Sequence, residues 1–464
     1  MAPRVPSGSP GLDGILGGGL AADSITLICG PPGSGKTILA EQYVFENATA
    51  ERPAVYMSTV SEPYEKIIRY GQTLDFFDAG RVGRDVFYED LGQPVVTDGL
   101  PGVVACIDAV LKDRRPGLLV IDSFKALTAF STSEADYRRF LHEVAGRLSA
   151  TAVSAIWIGE YNRDDSIHCP EFAVADGVLY LSTRSGLERE MRVLSVLKQR
   201  GSDYSGGQHA YRITAGGLRV FPRLADPQDL SGYALGEERA STGIPALDEI
   251  LSDGYWPGSS TLMAGPSGAG KTLMGLHFLF AGAQSGETGV LATLQESPVQ
   301  LARIVAGFGW SLETPKVEVM SRSPVDIYLD EWVQDLLETV ERTNATRVVI
   351  DSLGDLLIAS TDELRFREYM YSLLQRFSRE GVACLMALEL PELFRTTRIG
   401  EHGMSHLSDN VVLLQHVLDG SEIKRGLAVL KTRASEHDAR IREFRITPEG
   451  ILLGEAFTHQ PFMS

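Results

Sequence analysis

Two short segments of the chain combine glycine, lysine and a hydroxyl residue at a spacing that suits phosphate binding. The sequence GPPGSGKT occupies 30–37 and GPSGAGKT occupies 265–272. Glycines let a backbone curl so that its N–H groups point at an anion, while the lysine reaches the β- and γ-phosphates and the hydroxyl holds Mg²⁺. Each segment follows an apolar stretch and precedes a helical one, which is the context the motif requires. These two P-loops predict two ATP sites.

An aspartate that could hold Mg²⁺ closes an apolar stretch after each P-loop, in LLVID and in RVVID. A carboxylate at the C-terminal edge of a parallel strand lies where open α/β sheets bind ligands, and such an aspartate binds Mg²⁺, usually through water. The predicted Mg²⁺ ligands are Thr37 with Asp122 and Thr272 with Asp351. The predicted nucleotide-binding residues are Gly30, Pro31, Pro32, Gly33, Ser34, Gly35, Lys36 and Thr37, and Gly265, Pro266, Ser267, Gly268, Ala269, Gly270, Lys271 and Thr272.

ATP hydrolysis also needs a carboxylate that orients or deprotonates the attacking water. In a RecA-type layout that group follows the strand after the P-loop helix. This stretch is TLQESP in the second half, with Gln295 and Glu296, and TVSEP in the first half, with Glu62. These three residues are the candidate catalytic groups.

Two Lys-x-Arg pairs recur late in the chain, Lys198 with Arg200 and Lys431 with Arg433. Alternation along a strand puts both side chains of a pair on one face. A surface basic patch is one interpretation. Recurrence favours a shared catalytic role instead, as fingers inserted into the ATP site of a neighbouring subunit, where such a finger is worth about 10³–10⁵ in rate.

The chain is a duplicated unit of about 230 residues, because the P-loops, the VIDS segments and the Lys-x-Arg pairs recur in order at nearly constant spacing. Within each unit, apolar strands alternate with helical stretches. This pattern predicts an α/β fold with a mainly parallel sheet and helices on both faces. We predict an N-terminal domain at 1–222, a polar linker at 223–240 and a C-terminal domain at 241–464.

Composition narrows the class of protein. The 464 residues are 44% hydrophobic and 22% charged, as in globular proteins, and the net charge of −18 argues against nucleic acid as the partner. No apolar run reaches the roughly 18 residues that span a bilayer, and the N-terminus lacks the apolar core of a secretory signal. Four scattered cysteines fit reduced thiols, so we expect a cytoplasmic protein without a membrane partner.

Together these motifs resemble the KaiC family, the RecA-like clock ATPases and autokinases of cyanobacteria. The resemblance covers about residues 5–455. The segments that are specifically similar include GFGWSLE (307–313), DNVVLLQ (409–415) and HDARIREFRIT (437–447). It implies a homohexameric ring with ATP at the subunit interfaces. The Lys-x-Arg residues would then act in trans.

The sequence departs from the family at the positions that carry activity. The family has two adjacent catalytic glutamates in each domain. Alignment puts Val60 and Ser61 there in the first domain, with Glu62 one step along, and Gln295 and Glu296 there in the second. The family's Ser-Thr autophosphorylation pair corresponds to Ser405 and a histidine, which leaves Ser405 as the candidate phospho-acceptor. The family's C-terminal extension, which binds KaiA, is largely absent, so a KaiA-type partner is not expected.

Three functions follow from these observations as alternatives. The first is a KaiC-like ATPase that hydrolyses ATP slowly, mainly at the second site, as a nucleotide-driven switch. The second is a nucleotide-dependent scaffold with little turnover that binds a signalling partner the sequence does not name. The third, a RecA-like nucleic-acid motor, requires basic DNA-binding loops that the sequence lacks.

Overall fold

The computed structural model describes residues 3–59, 64–186, 189–224, 236, 238–360, 362–390, 404–419, 421–433 and 436–457. The chain divides into two compact units, Met1–Arg223 and Leu224–Ser464. The candidate Glu62, together with Val60 and Ser61, lies outside the described residues.

The first unit alternates strands and helices along its length. Its strands are β1 (Arg4–Val5), β2 (Leu20–Ala21), β3 (Ile25–Cys29), β4 (Ala54–Ser58), β5 (Val86–Asp90), β6 (Leu118–Asp122), β7 (Ser154–Gly159), β8 (Gly177–Gly186), β9 (Arg189–Gln199), β10 (His209–Thr214) and β11 (Gly217–Phe221). Its helices are α1 (Pro10–Ile15), α2 (Lys36–Asn47), α3 (Tyr64–Gly71), α4 (Gly92–Asp113), α5 (Glu134–Ala150) and α6 (Pro170–Val174), with 3₁₀ turns at Ala79–Arg81, Phe124–Phe130 and Arg163–Ile167.

The second unit repeats this plan. Its strands are β12 (Ser260–Gly265), β13 (Gly289–Thr293), β14 (Val317–Ser321), β15 (Arg347–Asp351), β16 (Ala383–Glu389), β17 (Asn410–Asp419), β18 (Glu422–Lys431), β19 (Arg442–Thr447) and β20 (Gly450–Ala456). Its helices are α7 (Pro245–Ile250), α8 (Lys271–Gln284), α9 (Pro298–Ala306), α10 (Leu329–Thr343), α11 (Leu353–Ala359), α12 (Glu363–Glu380) and α13 (Met404–Leu407), with a 3₁₀ turn at Pro324–Asp326.

In each unit the described residues form a nine-stranded sheet with the same strand order. The order is β5-β4-β6-β7-β3-β8-β9-β10-β11 in the first unit and β14-β13-β15-β16-β12-β17-β18-β19-β20 in the second. Read along this spatial order, neighbouring strands pair in parallel as far as β8 in the first unit and β17 in the second. The last three strands, β9, β10 and β11 or β18, β19 and β20, pair antiparallel. The predicted fold class, tandem RecA-like α/β domains, is confirmed.

Helices cover both faces of each sheet because the central strands are apolar on both sides. In the first unit, one hydrophobic cluster joins alternate strand residues to α4 and α5, and a second cluster joins the remaining strand residues to α1 and α2. The second unit has the corresponding pair of clusters. Because the central strands are parallel, their carboxyl ends meet at one edge of the sheet, and the P-loops lie at that edge.

By length and composition, α4 is a described helix that could cross a membrane. However, Gly99 breaks its helical backbone and Pro101 follows within the helix. Its apolar residues Val103, Ile107 and Val110 belong to the hydrophobic cluster on the sheet. We interpret α4 as a core helix.

The predicted linker begins in the first unit, where Arg223 N donates to His209 Nδ1 at 2.9 Å, and its later described residues pack in the second unit. Leu224 lies against the hydrophobic core of that unit, and Ala240 pairs with Tyr255 through two backbone hydrogen bonds. Residues 225–235 and 237 lie outside the described part, so the predicted domain boundaries stay a prediction.

Candidate functional site: two phosphate-binding loops

Each P-loop connects a buried central strand to a helix that begins at the P-loop lysine. In the first unit β3 leads into α2, and in the second β12 leads into α8. Gly33 and Gly268 have φ of 74° and 72°, and an added Cβ would meet nothing within 4 Å. Glycine is therefore favoured there by the left-handed backbone rather than by space, and such a backbone is the kind that lets successive N–H groups line an anion site.

The two P-loop lysines have the same surroundings. Lys36 Nζ donates to the carbonyls of Gly30 and Pro31 at 3.0 and 2.9 Å, and Lys271 Nζ donates to those of Gly265 and Pro266 at 2.9 Å each. Burial lowers the pKa of both lysines, while nearby carboxylates oppose that shift. Each ammonium thus lies folded over its loop, in position to exchange carbonyl contacts for phosphate oxygens.

The predicted Mg²⁺ ligands lie together in both units. Thr37 Oγ1 donates to Asp122 Oδ2 at 3.0 Å, and Thr272 Oγ1 donates to Asp351 Oδ2 at 2.6 Å. Burial raises the pKa of Asp351, which is 1% exposed. The peptide bonds after both aspartates are cis. Hydroxyl and carboxylate oxygens are the ligands that Mg²⁺ prefers, so this donor set fits the ion.

A cavity of about 630 Å³ opens beside the first P-loop. Its described lining residues are Gly33, Gly35, Lys36, Thr37, Ile38, Asp122, Ser123, Lys125, Ala126, Ile158, Gly159, Glu160 and Ile213. The Oγ of Ser34 is buried there in the loop without a hydrogen-bond partner. A buried orphan hydroxyl in a phosphate loop, next to a cavity of ligand size, fits a bound nucleotide.

Comparison with known proteins identifies the family. The model of the KaiC ATPase family matches residues 5–225 and 240–456. The chain belongs to the KaiC family. Among its relatives are the circadian clock protein KaiC3 of Synechocystis sp., which is 28% identical with 98% of this chain and 92% of the relative covered, and the circadian clock oscillator protein KaiC of Thermostichus vulcanus, at 27% with 98% and 89% covered. The oscillator protein KaiC of Rippkaea orientalis is also 27% identical, with 96% and 88% covered.

Membership of the KaiC family makes the chain a nucleotide-binding protein of an ATPase family, and ATP is the nucleotide it implies. The duplicated arrangement agrees with the family, since both matched segments contain one P-loop and one aspartate at a strand end. At 27–28% identity, these relatives show the family of the chain, and its individual activities are matters for proposal.

Acidic groups gather at the second KaiC-like site. Gln295 Nε2 donates to Ser352 Oγ at 3.2 Å, and that hydroxyl donates to Asp355 Oδ2 at 2.6 Å. The charges of Glu296 and Asp355 help to raise the pKa of Asp351, after burial. Both candidate residues of the second site, Gln295 and Glu296, thus lie near Asp351, the predicted Mg²⁺ ligand.

Two tyrosine hydroxyls stabilise the first KaiC-like site. Tyr56 Oη donates to Asp122 Oδ2 at 2.6 Å, and Tyr211 Oη donates to the carbonyl of Ser34 at 2.6 Å. Strand register puts Leu291 and Phe444 at the corresponding places in the second unit. Burial and the Asp122 charge raise the pKa of Tyr56, so its hydroxyl stays a donor.

The Lys-x-Arg residues lie at the sheet edge opposite the P-loops. Because β9 runs antiparallel to β8, Lys198 pairs with Val178 at the start of β8, whereas the P-loop follows the end of β3. Arg200 and Arg433 are largely exposed, and each contacts an aspartate at 3.3 Å, Asp176 and Asp409 respectively. A contact between these arginines and the P-loop of their own unit is therefore excluded by the topology.

The two lysines of these pairs have local partners. Lys198 Nζ donates to the carbonyls of Phe172, Ala173 and Ala175 at 3.1, 3.1 and 2.5 Å. Lys431 Nζ donates to those of Ser405 and Ser408 at 3.0 and 2.6 Å. Carbonyls at the end of a short helix attract a cation, so both lysines stabilise a helix C-terminus in this chain.

The candidate phospho-acceptor Ser405 lies on the four-residue helix α13 and is half-buried. Its carbonyl accepts the bond from Lys431, and Phe172 occupies the corresponding position of the first unit. The second P-loop is at the opposite sheet edge, since Ser405 precedes the start of β17. Transfer from that P-loop within the same unit is therefore excluded, as for the arginines.

Three residues of the first site, Lys125, Tyr56 and Tyr211, lie outside the motifs that the sequence patterns indicate. Each occupies a position where the second unit has an apolar residue or glycine. The shared P-loop motif aligns the two repeats, and a comparison position by position then shows these three residues as differences.

Proposed function

We propose that the chain is a cytoplasmic, Mg²⁺-dependent KaiC-type ATPase that hydrolyses ATP slowly, mainly at the second site, and acts as an oligomeric switch. The single observation that carries the assignment to the second site is that Glu296 donates its backbone N–H to Thr293 Oγ1, and Thr293 is the strand residue paired with Asp351. At the first site the aligned positions are Val60 and Ser61.

The residues of the second site have separate tasks in this proposal. The P-loop N–H groups and Lys271 hold the phosphates, and Thr272 with Asp351 holds Mg²⁺, whose charge offsets that of the triphosphate. Glu296 accepts a proton from the attacking water, and Gln295 orients that water by a hydrogen bond, because an amide is a poor general base. Slow turnover follows because one of two acidic groups is replaced by an amide.

The arginines complete the site only from another subunit. Arg200 and Arg433 lie away from their own P-loops, so a finger role requires oligomerisation, and we propose a homohexamer with ATP at the interfaces. Lys198 and Lys431 would have to leave their helix carbonyls to act as fingers. We therefore expect the arginines to contribute more than the lysines.

A scaffold with little turnover is the second candidate. For the N-terminal unit it is favoured by the tyrosine hydrogen bonds at the first site. Tyr56 and Tyr211 hold the Asp122 carboxylate and the P-loop in place. ATP at that site would stabilise the assembly, and the output would be binding of a signalling partner. Autophosphorylation at Ser405 and a nucleic-acid partner are not part of either proposal.

Native mass spectrometry with and without Mg²⁺-ATP, combined with a phosphate-release assay, tests the proposal. We expect a hexamer in ATP, smaller species without it, and measurable phosphate release. A hexamer without phosphate release would favour the scaffold. A monomer in ATP would refute both the switch and the scaffold.

A further inference from the structure

The two nucleotide sites differ by a lysine that lies outside the P-loop motif. Lys125 lines the first cavity together with Lys36, Thr37 and Asp122. It is the third residue after Asp122, and the third residue after Asp351 is Gly354. The second site therefore has no side chain at this place.

Lys125 is positioned by three neighbours at the carboxyl edge of the sheet. Its Nζ donates to the Glu160 carbonyl at 2.6 Å, lies 3.4 Å from Asp165 Oδ2, and sits 4.5 Å from the centre of the Tyr161 ring. Glu160 directly follows β7, which is next to the P-loop strand β3. The ammonium is thus held where β7 ends, in the lining of the same cavity as Asp122.

The charges around the two sites differ accordingly. The described lining of the first cavity has two lysines, Lys36 and Lys125, against the carboxylates Asp122 and Glu160. At the second site, the charges of Glu296 and Asp355 act on Asp351, and that of Glu389 acts on Lys271. A triphosphate has one phosphate more than a diphosphate, so the extra cation selects for the longer anion.

We propose that Lys125 is a specificity-determining residue of the first site that contacts the terminal phosphate and makes that site prefer ATP over ADP. Its Asp165 partner is partly exposed, and that contact is longer than the carbonyl bond, so exchange for a phosphate oxygen costs little. This inference rests on the proposed function, because it assumes that the first site holds ATP. It gives the first site a cation from its own chain, where the family resemblance implies fingers from a neighbour.

The test compares the affinity of the first site alone for AMP-PNP, which stands in for ATP, with its affinity for ADP. Full-length protein carrying Lys271→Ala is loaded with a fluorescent mant-ADP probe, which is displaced by AMP-PNP or by ADP in Mg²⁺. Adding Lys125→Met should weaken AMP-PNP binding about tenfold and change ADP binding less than about twofold. Lys125→Arg should keep most of the preference, and Lys112→Met, on the exposed side of α4, should change neither affinity.

A merely structural role gives a different result. If Lys125 only ties the Phe124–Phe130 turn to the Glu160 loop, Lys125→Met lowers both affinities equally or neither, and the inference is overturned. Should that variant not fold, Gly354→Lys in a Lys36→Ala background decides. An added Cβ at Gly354 meets only Ser352 Oγ at 3.7 Å, so the position has room. A raised AMP-PNP/ADP preference at the second site supports the inference, and an unchanged preference overturns it.

The failure of the proposed function is recognised separately. If the Lys271→Ala protein binds neither nucleotide, then the first site does not hold ATP and the proposed function fails at that site. If it binds both nucleotides and Lys125→Met leaves their ratio unchanged, only the inference about Lys125 fails.

Discussion

The first and second nucleotide sites share a P-loop, a lysine and a threonine–aspartate pair, but their surroundings differ. Around the first site are tyrosine hydroxyls and a second lysine, which hold groups in place and add positive charge. Around the second site are an amide and acidic groups, including Glu296. The difference teaches that the same motif can have different neighbours, and in our proposal those neighbouring side chains divide ATP holding from hydrolysis.

The largest effect should come from Lys271→Ala. This change removes the cation at the proposed hydrolytic site, and the loss of one electrostatic contact to the developing charge costs about 10²–10³ in rate. Phosphate release by purified protein should fall to the level of the first site. If most turnover remains, the first site is the catalytic one and the comparison is reversed.

Glu296→Gln should lower phosphate release about a hundredfold, because it replaces the proposed general base by an amide of the same shape. Nucleotide affinity at the second site should change little. The matched control is Glu313→Gln, an exposed glutamate outside the site, which should keep the wild-type rate. Equal rates for Glu296→Gln and wild type would remove Glu296 from the mechanism.

Lys36→Ala should affect assembly more than rate. The first site is proposed to hold ATP in the oligomer, so we expect smaller species in ATP by native mass spectrometry and a rate change of less than about threefold at equal assembly. An oligomer of wild-type size in ATP would contradict the holding role of the first site.

Tyr56→Phe should destabilise the first unit by about 1–3 kcal/mol, because Asp122 loses a buried donor. Thermal unfolding monitored in the N-terminal unit measures this loss, and the Mg²⁺ concentration for half-maximal nucleotide binding there should rise. Tyr70→Phe removes a hydroxyl from a tyrosine that is 56% exposed and serves as the control. A Tyr56 variant as stable as this control would show that the Asp122 contact contributes nothing.

The smallest expected effect is at Ser405, where we predict no stoichiometric phosphorylation. The family resemblance aligns Gln295, an amide and a poor general base, with a catalytic glutamate, and Ser405 lies at the sheet edge opposite its own P-loop. Intact mass after incubation with Mg²⁺-ATP should be unchanged, as for Ser405→Ala. A gain of one phosphate per chain that Ser405→Ala abolishes would refute the prediction.

The sequence alone determined the fold class, because strand hydrophobicity, P-loop spacing and internal repetition are local patterns. It placed the helices after both P-loops at Lys36 and Lys271, where α2 and α8 begin. The pairing of each threonine with its aspartate also followed, since both residues occupy the carboxyl ends of parallel strands and their loops.

Only the tertiary structure decided what surrounds those motifs. Tyr211 and Ser34 are far apart in the chain and meet because β10 folds beside the P-loop. The position of Arg200 opposite its own P-loop depends on the antiparallel direction of β9, which the Lys-x-Arg motif does not encode. Contacts between distant segments depend on how strands are ordered in the sheet, and a local pattern of residue types does not specify that order.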